Sequence, residues 1–202
     1  MDKVLNLYAG LGGNRKLWQG VEVTAIETDP KIAAVYQNNN PNDKVIIADA
    51  HQYLLDHSGE FDFIWSSPPC QSHTRFIRSG RNRKPKYPDF KLYEEIIFLT
   101  HNFKGKWVVE NVVPYYEPLI KPTIKIDRHL FWSNFNIESF ELDNHKNFIQ
   151  ADSPAELESM KSWLGIHYEG NIYYNGNHSP GQVLRNCVHP EMGNHVFNCS
   201  KI

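Results

Sequence analysis

Cys70 sits at the end of Ser66-Ser67-Pro68-Pro69-Cys70-Gln71, directly after the apolar run Phe61 to Trp65. Two prolines remove two backbone donors and fix φ, so a central strand cannot run through them and the sulfur falls on a loop. A thiol presented in this way can serve metal binding, redox chemistry or nucleophilic attack; burial as a small apolar side chain is the commoner fate of a free cysteine. Nucleophilic use needs a thiolate, which cationic neighbours favour, and His73, Arg75 and Arg78 are near in sequence. A second chemical stretch is Tyr8-Ala9-Gly10-Leu11-Gly12-Gly13-Asn14-Arg15, where glycines after a strand let backbone approach a ligand at a helix start. Arg15 stands where a dinucleotide GxGxxG has its last glycine, which argues against a pyrophosphate cradle and toward another nucleoside. A plain tight turn is the alternative. Glu27 ends the next apolar run, where an acid can hydrogen-bond ribose hydroxyls or simply face solvent. Asp49 follows a third run, placed to accept from an adenine amino group or to cap the helix that begins at Ala50.

These residues need a scaffold that brings them to one edge. Short apolar runs at Val4 to Tyr8, Val21 to Ile26, Lys44 to Ile47, Phe61 to Trp65 and Lys106 to Val109 read as strands. Pro30 to Gln37 and Phe90 to Phe103 read as helices, the second through Leu92, Ile96, Leu99 and Phe103. The alternation predicts an α/β fold with a parallel sheet, whose ligands sit at the carboxyl ends of the strands. Two further strands are expected at Thr123 to Ile126 and Leu130 to Phe135, and a helix at Glu191 to Ser200. With 202 residues, 41% hydrophobic and 13% aromatic, the chain fills one core and a single domain is expected. The net charge of -2 gives no global polyanion signature, so nucleic-acid binding would rest on local clusters. Such a cluster follows Cys70: Arg75, Arg78, Arg81, Arg83, Lys84 and Lys86, interleaved with Phe76 and Tyr87. A solvated basic loop is the other reading. Three cysteines, none in a CxxC pair, suit a reducing compartment; with neither a leader-like nor a membrane-length apolar run, a cytoplasmic location is expected. Cys187, His189, His195 and Cys199 match no common zinc spacing.

In order and in type, these motifs resemble those of the cytosine-5 DNA methyltransferase family. Tyr8, Ala9, Gly10, Leu11, Gly12 and Gly13 resemble its cofactor loop; Glu27-Thr28-Asp29, with Ala33, Tyr36 and Asn38, its second motif; Asp49 the acid of its third, followed by Ala50. Pro68-Pro69-Cys70-Gln71 resembles the Pro-Cys-Gln motif and Glu110-Asn111-Val112 the Glu-Asn-Val motif. The resemblance implies a Rossmann-like methyltransferase fold with a mostly parallel seven-stranded sheet and S-adenosylmethionine as cofactor. It also implies Cys70, Glu110 and Arg128 as catalytic residues. Cofactor contacts would come from Tyr8 to Gly13, Glu27, Thr28, Asp49, Ala50, Pro69 and Asn194. Gln71 and the basic residues after it, matching in position a loop that closes over DNA, would meet nucleic acid.

The chain departs from the family pattern in two places. Asp127-Arg128-His129-Leu130-Phe131 stands where Gln-x-Arg-x-Arg is expected, and only Arg128 matches, with His129 or Arg75 as substitutes for the second arginine. Residues Asn136 to Pro180 are too few for a separate target-recognition domain, so a short or relaxed recognition sequence is expected unless a partner protein supplies more. Compact members of this kind resemble phage-encoded ones, and a monomer is expected. Gly193-Asn194 resembles the Gly-Asn of the last motif, on a helix that returns to the cofactor loop. DNA is the leading substrate, RNA the second, and a non-catalytic binding descendant the third; an amino methyltransferase would carry an aromatic where Cys70 stands.

Overall fold

Among the residues described in the computed structural model, 1–75, 87–143, 145, 148, 153–174 and 179–201, seven strands form one sheet. They are β1 (Asp2–Leu7), β2 (Val21–Glu27), β3 (Lys44–Ile47), β4 (Phe63–Ser66), β5 (Lys106–Val112), β6 (Ile124–Ile126) and β7 (His129–Ser133). Their order is β3-β2-β1-β4-β5-β7-β6, with β1 to β5 parallel and β7 antiparallel to both neighbours. The mostly parallel, Rossmann-like α/β sheet read from the sequence is the one observed. Chain order reverses at β1 and β4, and a crevice beyond the carboxyl ends of such strands is where open α/β sheets hold ligands.

Both faces of the sheet are covered, which is why its strands read as continuous apolar runs. Leu5, Leu7, Ile64 and Val109 point to one side and cluster with Leu54 of α2 (Ala50–His57) and with Leu92, Ile96 and Leu99 of α3 (Lys91–Asn102). Val4, Val23, Phe63, Trp65, Val108 and Phe131 point to the other side. There they meet Trp18 and the Met192, Val196 and Phe197 side chains of a C-terminal helix. Tyr36 of α1 (Pro30–Asn39) is buried with Ala9 and Ala25. Three more helices follow the sheet: α4 (Pro154–Leu164), α5 (Gln182–Arg185) and α6 (Pro190–Cys199). Among the described residues no helix is long and apolar enough to cross a membrane.

The structure moves several sequence-based boundaries for local reasons. Tyr8 leaves β1 because its backbone turns to φ 54. Phe61 and Asp62 precede β4, with the Asp62 N–H bonded to the Lys3 carbonyl at 2.8 Å. β5 runs three residues past Val109, since β7 supplies antiparallel partners for Glu110, Asn111 and Val112. Helix α6 covers nearly the expected span and reaches the Tyr8 to Gly13 loop: Trp18 Nε1 donates to the Gly193 carbonyl at 3.1 Å. A Cβ at Gly193 would lie 2.3 Å from the Asn14 carbonyl oxygen, a backbone atom that cannot rotate away. Gly193→Ala is therefore expected to destabilise the protein by about 2–3 kcal/mol, read as a lower urea midpoint at unchanged slope.

Candidate active site

The diproline ends β4 and hands the chain to Cys70, whose carbonyl accepts from the N–H groups of His73 (2.9 Å) and Thr74 (3.0 Å). This tight turn fixes the root of the loop and leaves Cys70 half-buried and free of any disulfide. Burial first, then the Glu110 carboxylate, push the thiol up to about 11, while Arg128 pulls it down. In the free protein Cys70 is mostly a thiol at neutral pH.

Glu110 arrives from the neighbouring strand. β4 pairs with β5 only as far as Val109, so Glu110 to Val112 have β7 on one side and the proline loop on the other. Asn111 Nδ2 bridges that gap by donating to the Pro68 carbonyl at 2.9 Å, a buried bond that ties the loop bearing Cys70 to β5. Glu110 Oε1 accepts from His129 Nδ1 at 2.6 Å, and both side chains are buried. Arg128 lies at the tip of the β6–β7 hairpin, after Asp127 at φ 50. Its Nη2 donates to the Arg185 carbonyl at 2.9 Å and its guanidinium lies 4.7 Å over the Phe148 ring. Arg128 is thus anchored with its charge felt by both Cys70 and Glu110.

Leu130, where a second arginine is expected, faces the opposite side of the sheet and is packed with Leu5, Ile64 and Val109. A guanidinium there would be an uncompensated charge in an apolar cluster. His129 is the polar side chain that β7 brings to Glu110 instead. Arg75, the other candidate substitute, donates from Nε to the Pro114 carbonyl at 3.4 Å. It lines an open cavity of about 420 Å³ with Tyr115, Tyr116 and Glu117.

At the cofactor loop the three glycines divide the work. A Cβ at Gly12 would lie 2.8 Å from Tyr36 and Asn40 side-chain atoms, and one at Gly13 2.4 Å from the Val188 carbonyl, so those two glycines are required by protein packing. Gly10, at φ 53, has only the Tyr8 carbonyl within 4 Å of its Cβ position, at 3.9 Å; room for a ligand is left there. Glu27 Oε2 accepts from Gly10 N at 2.9 Å while its Oε1 accepts from Thr28 N and Asp29 N at 2.8 and 3.0 Å. Oε1 also accepts from Thr28 Oγ1 at 3.3 Å and is fully engaged, whereas Oε2 has a single donor and keeps room for a ribose hydroxyl. Arg15 takes no part: it pairs with Asp43 through two bonds of 2.8 Å. Asp49 Oδ1 caps α2 by accepting from Gln52 N at 2.8 Å, and the carboxylate remains over half exposed. An open glycine, an acid at the end of β2 and a second acid after β3 are a donor and acceptor set that fits an adenosine-bearing cofactor.

The remaining sequence candidates scatter around this centre. Ala50 is buried as the first residue of α2, Thr28, Pro69 and Gln71 are exposed, and Asn194 is partly buried on α6 beside the loop. Arg78, Arg81, Arg83, Lys84 and Lys86 lie outside the described residues. Tyr174 belongs to the polar-aromatic stretch 168–178, which the sequence offers as a nucleic-acid reader beside the basic loop; its hydroxyl accepts from Asn186 Nδ2 at 2.6 Å. Its phenol is raised to about 12 by burial first and then by the charges of Cys70, Cys187 and Glu27. The segment read as standing in for a recognition domain, 136–180, supplies α4. Its Leu157, Met160 and Leu164 pack with Leu11 and Ile32 behind the cofactor loop.

A sequence profile of the C-5 cytosine-specific DNA methylases matches residues 3–117, more than half of the chain. No curated protein matches it. Among solved structures the chain is similar to a triple mutant of Spodoptera frugiperda DNMT2, with 26% identity over 55% of this chain and a TM-score of 0.40. It spans only 36% of that chain. It is also similar to the Entamoeba histolytica methyltransferase EhMeth, with 15% identity over 81% of this chain and 66% of the other, at a TM-score of 0.47. A SAM-dependent methyltransferase from Agrobacterium tumefaciens gives 17% identity over 57% and 40%, at 0.42.

Proposed function

Because this chain belongs to the C-5 cytosine-specific DNA methylase family, we propose that it methylates C5 of cytosine in DNA, using S-adenosylmethionine and Cys70 as a covalent nucleophile. The observation that carries the reading is the Asn111 to Pro68 bond, which ties the loop bearing Cys70 to the strand bearing Glu110. C5 of cytosine is too weakly nucleophilic to take a methyl group unaided, and a covalent step overcomes this. The Cys70 thiol gives its proton to solvent and Sγ adds to C6 as the C5–C6 π bond opens. Glu110 holds N3 and the exocyclic amine, so the electron density released by that bond collects at C5. C5 takes the methyl group, then gives up its proton to a base, and Cys70 leaves as C6 regains its double bond. S-adenosylmethionine, when bound, supplies the methyl group; Gly10, Glu27 and Asp49 are the residues that would hold it.

Reaching both faces of the ring requires the base to leave the duplex, at a cost of a few kcal/mol that the pocket must offset. Arg128, held over Phe148, supports the negative charge that builds in this pocket. Because α4 is committed to packing behind the cofactor loop, sequence reading falls to Gln71, Arg75 and the basic residues beyond it together with the polar-aromatic stretch 168–178, and a short or relaxed target is expected.

The test is mass spectrometry of nucleosides from DNA and RNA treated with the wild type and with Cys70→Ala. A 5-methyldeoxycytidine signal made by the wild type and absent from the variant is the expected result. A signal confined to RNA would move the substrate, and none in either polymer with cofactor present would remove the enzymatic reading.

A further inference from the structure

Glu95, in the middle of α3, is fully buried, yet its carboxylate meets three polar side chains from three other parts of the fold. Tyr8 Oη donates to Oε1 at 2.6 Å, His51 Nδ1 lies 3.0 Å from the same oxygen, and Ser66 Oγ donates to Oε2 at 2.5 Å. Tyr8 begins the cofactor loop. Ser66 is the last residue of β4, four positions before Cys70, and His51 follows Asp49 and Ala50 at the start of α2. One carboxylate therefore receives the ends of β1 and β4 and the turn after β3, three of the segments that carry site residues.

A buried carboxylate needs its lone pairs satisfied, and leaving even one donor out carries a penalty, so the three bonds are held together rather than independently. Burial and then the Glu95 charge raise the Tyr8 phenol well above its ordinary range, so it stays a donor. The Tyr8 side chain is consequently directed down to α3 while its backbone turns at φ 54 to start the loop toward Gly10. A displacement of Tyr8 by a ligand in that loop would have to reach Ser66 through the two oxygens of this carboxylate. From Ser66 two prolines, each with φ fixed, carry it to Cys70 with little slack.

We propose that Glu95 is a positioning residue that couples occupancy of the cofactor loop to the placement of Cys70. The inference rests on the reading of Tyr8 to Gly13 as the cofactor loop and of Cys70 as the nucleophile. It assigns no contact between Glu95 and either reactant.

The coupling is read without turnover, as the effect of S-adenosylhomocysteine on alkylation of Cys70 by iodoacetamide, followed by peptide mass spectrometry so that Cys187 and Cys199 are scored separately. In the wild type a saturating amount is expected to change the Cys70 rate by about fivefold or more, the lower end of typical site-to-site coupling. In Glu95→Gln the change is expected to shrink below about twofold, with S-adenosylhomocysteine still bound by calorimetry. Ser66→Ala, a smaller change that keeps Glu95 and Tyr8 in place, is expected to do the same and guards against misfolding of the first variant. The double variant should lose no more than either single one, as expected for links in one chain. An undiminished response in both single variants would overturn the coupling, because a ligand acting on Cys70 directly would act equally in all of them. Failure of the wild type to bind S-adenosylhomocysteine would instead overturn the cofactor reading, and the coupling with it.

Discussion

Cys70→Ala is expected to lower methyl transfer on the order of 10⁴-fold or more, because it removes the thiol proposed to form the bond to C6. Cofactor binding should survive, since the Tyr8 to Gly13 loop is held by Glu27, Tyr36, Asn40 and Val188 and not by the thiol. The sharper form of the expectation concerns pH. With the Cys70 thiol raised to about 11 by burial and by Glu110, roughly one protein molecule in ten thousand carries the thiolate at pH 7. Iodoacetamide, which reacts with the thiolate, should therefore label Cys70 in the free protein about tenfold faster with each pH unit from 7 to 10, levelling only near the raised value. The two charges that bracket the sulfur should move that curve in opposite directions. Glu110→Gln removes a negative neighbour and shifts it to lower pH; Arg128→Ala removes the positive one and shifts it higher. A curve that levels at or below the ordinary value near 9 would mean that another cation primes the thiol. Under the present reading activation waits for the substrate: once Glu110 shares a proton with N3 of the cytosine, its charge no longer holds the proton on Cys70.

How far the site was legible in the sequence depended on whether its determinants were local. Pro68 and Pro69 end a strand wherever they occur, so Cys70 on a loop followed from the chain alone. The parallel sheet followed from apolar runs buried on both faces. What the runs could not reveal is that Glu110 and Asn111 lie inside β5, because that depends on β7 pairing with it from later in the chain. The cofactor loop shows the same division. Its glycines read as a cradle, yet Gly12 and Gly13 are demanded by Tyr36, Asn40 and Val188, distant in sequence, and only Gly10 faces open space. Glu95 was invisible for a like reason: on the apolar rhythm of α3 it is merely one of two adjacent acids, and its role appears only when β1, β4 and α2 converge on it. Helix α4 is a different case. Ser153, Pro154 and Glu156 form a full capping box with an N1 proline, and Gly165 closes the helix at φ 61. The start and stop were written locally, within a stretch read only as too short for a separate recognition domain.

The His129 to Glu110 contact gives the other large effect, in stability as well as rate. Two buried side chains joined by a 2.6 Å bond leave a polar atom stranded when one is removed, and the two removals are not equivalent. His129→Ala strands a carboxylate, which Arg128 relieves only in part, and should cost about 3 kcal/mol in urea denaturation. Glu110→Ala strands an imidazole, which has a neutral form to fall back on, and should cost about 1 kcal/mol. The double variant should be less destabilised than the sum, by about 1–2 kcal/mol of coupling. Activity should separate the same residues differently. Glu110→Ala removes the group that holds the base and should reduce kcat by about 10²–10⁴-fold, and no partner substitution can restore it. His129 acts on the base only through Glu110, so His129→Asn, which can still donate to Oε1, should recover part of the stability and much of the rate lost in His129→Ala. An alanine at 129 as stable as the wild type would show that Glu110 is held by Arg128 alone. His129 would then be no replacement for the second arginine that the family resemblance implies at Leu130, and Arg128 would be the one cation left to support Glu110.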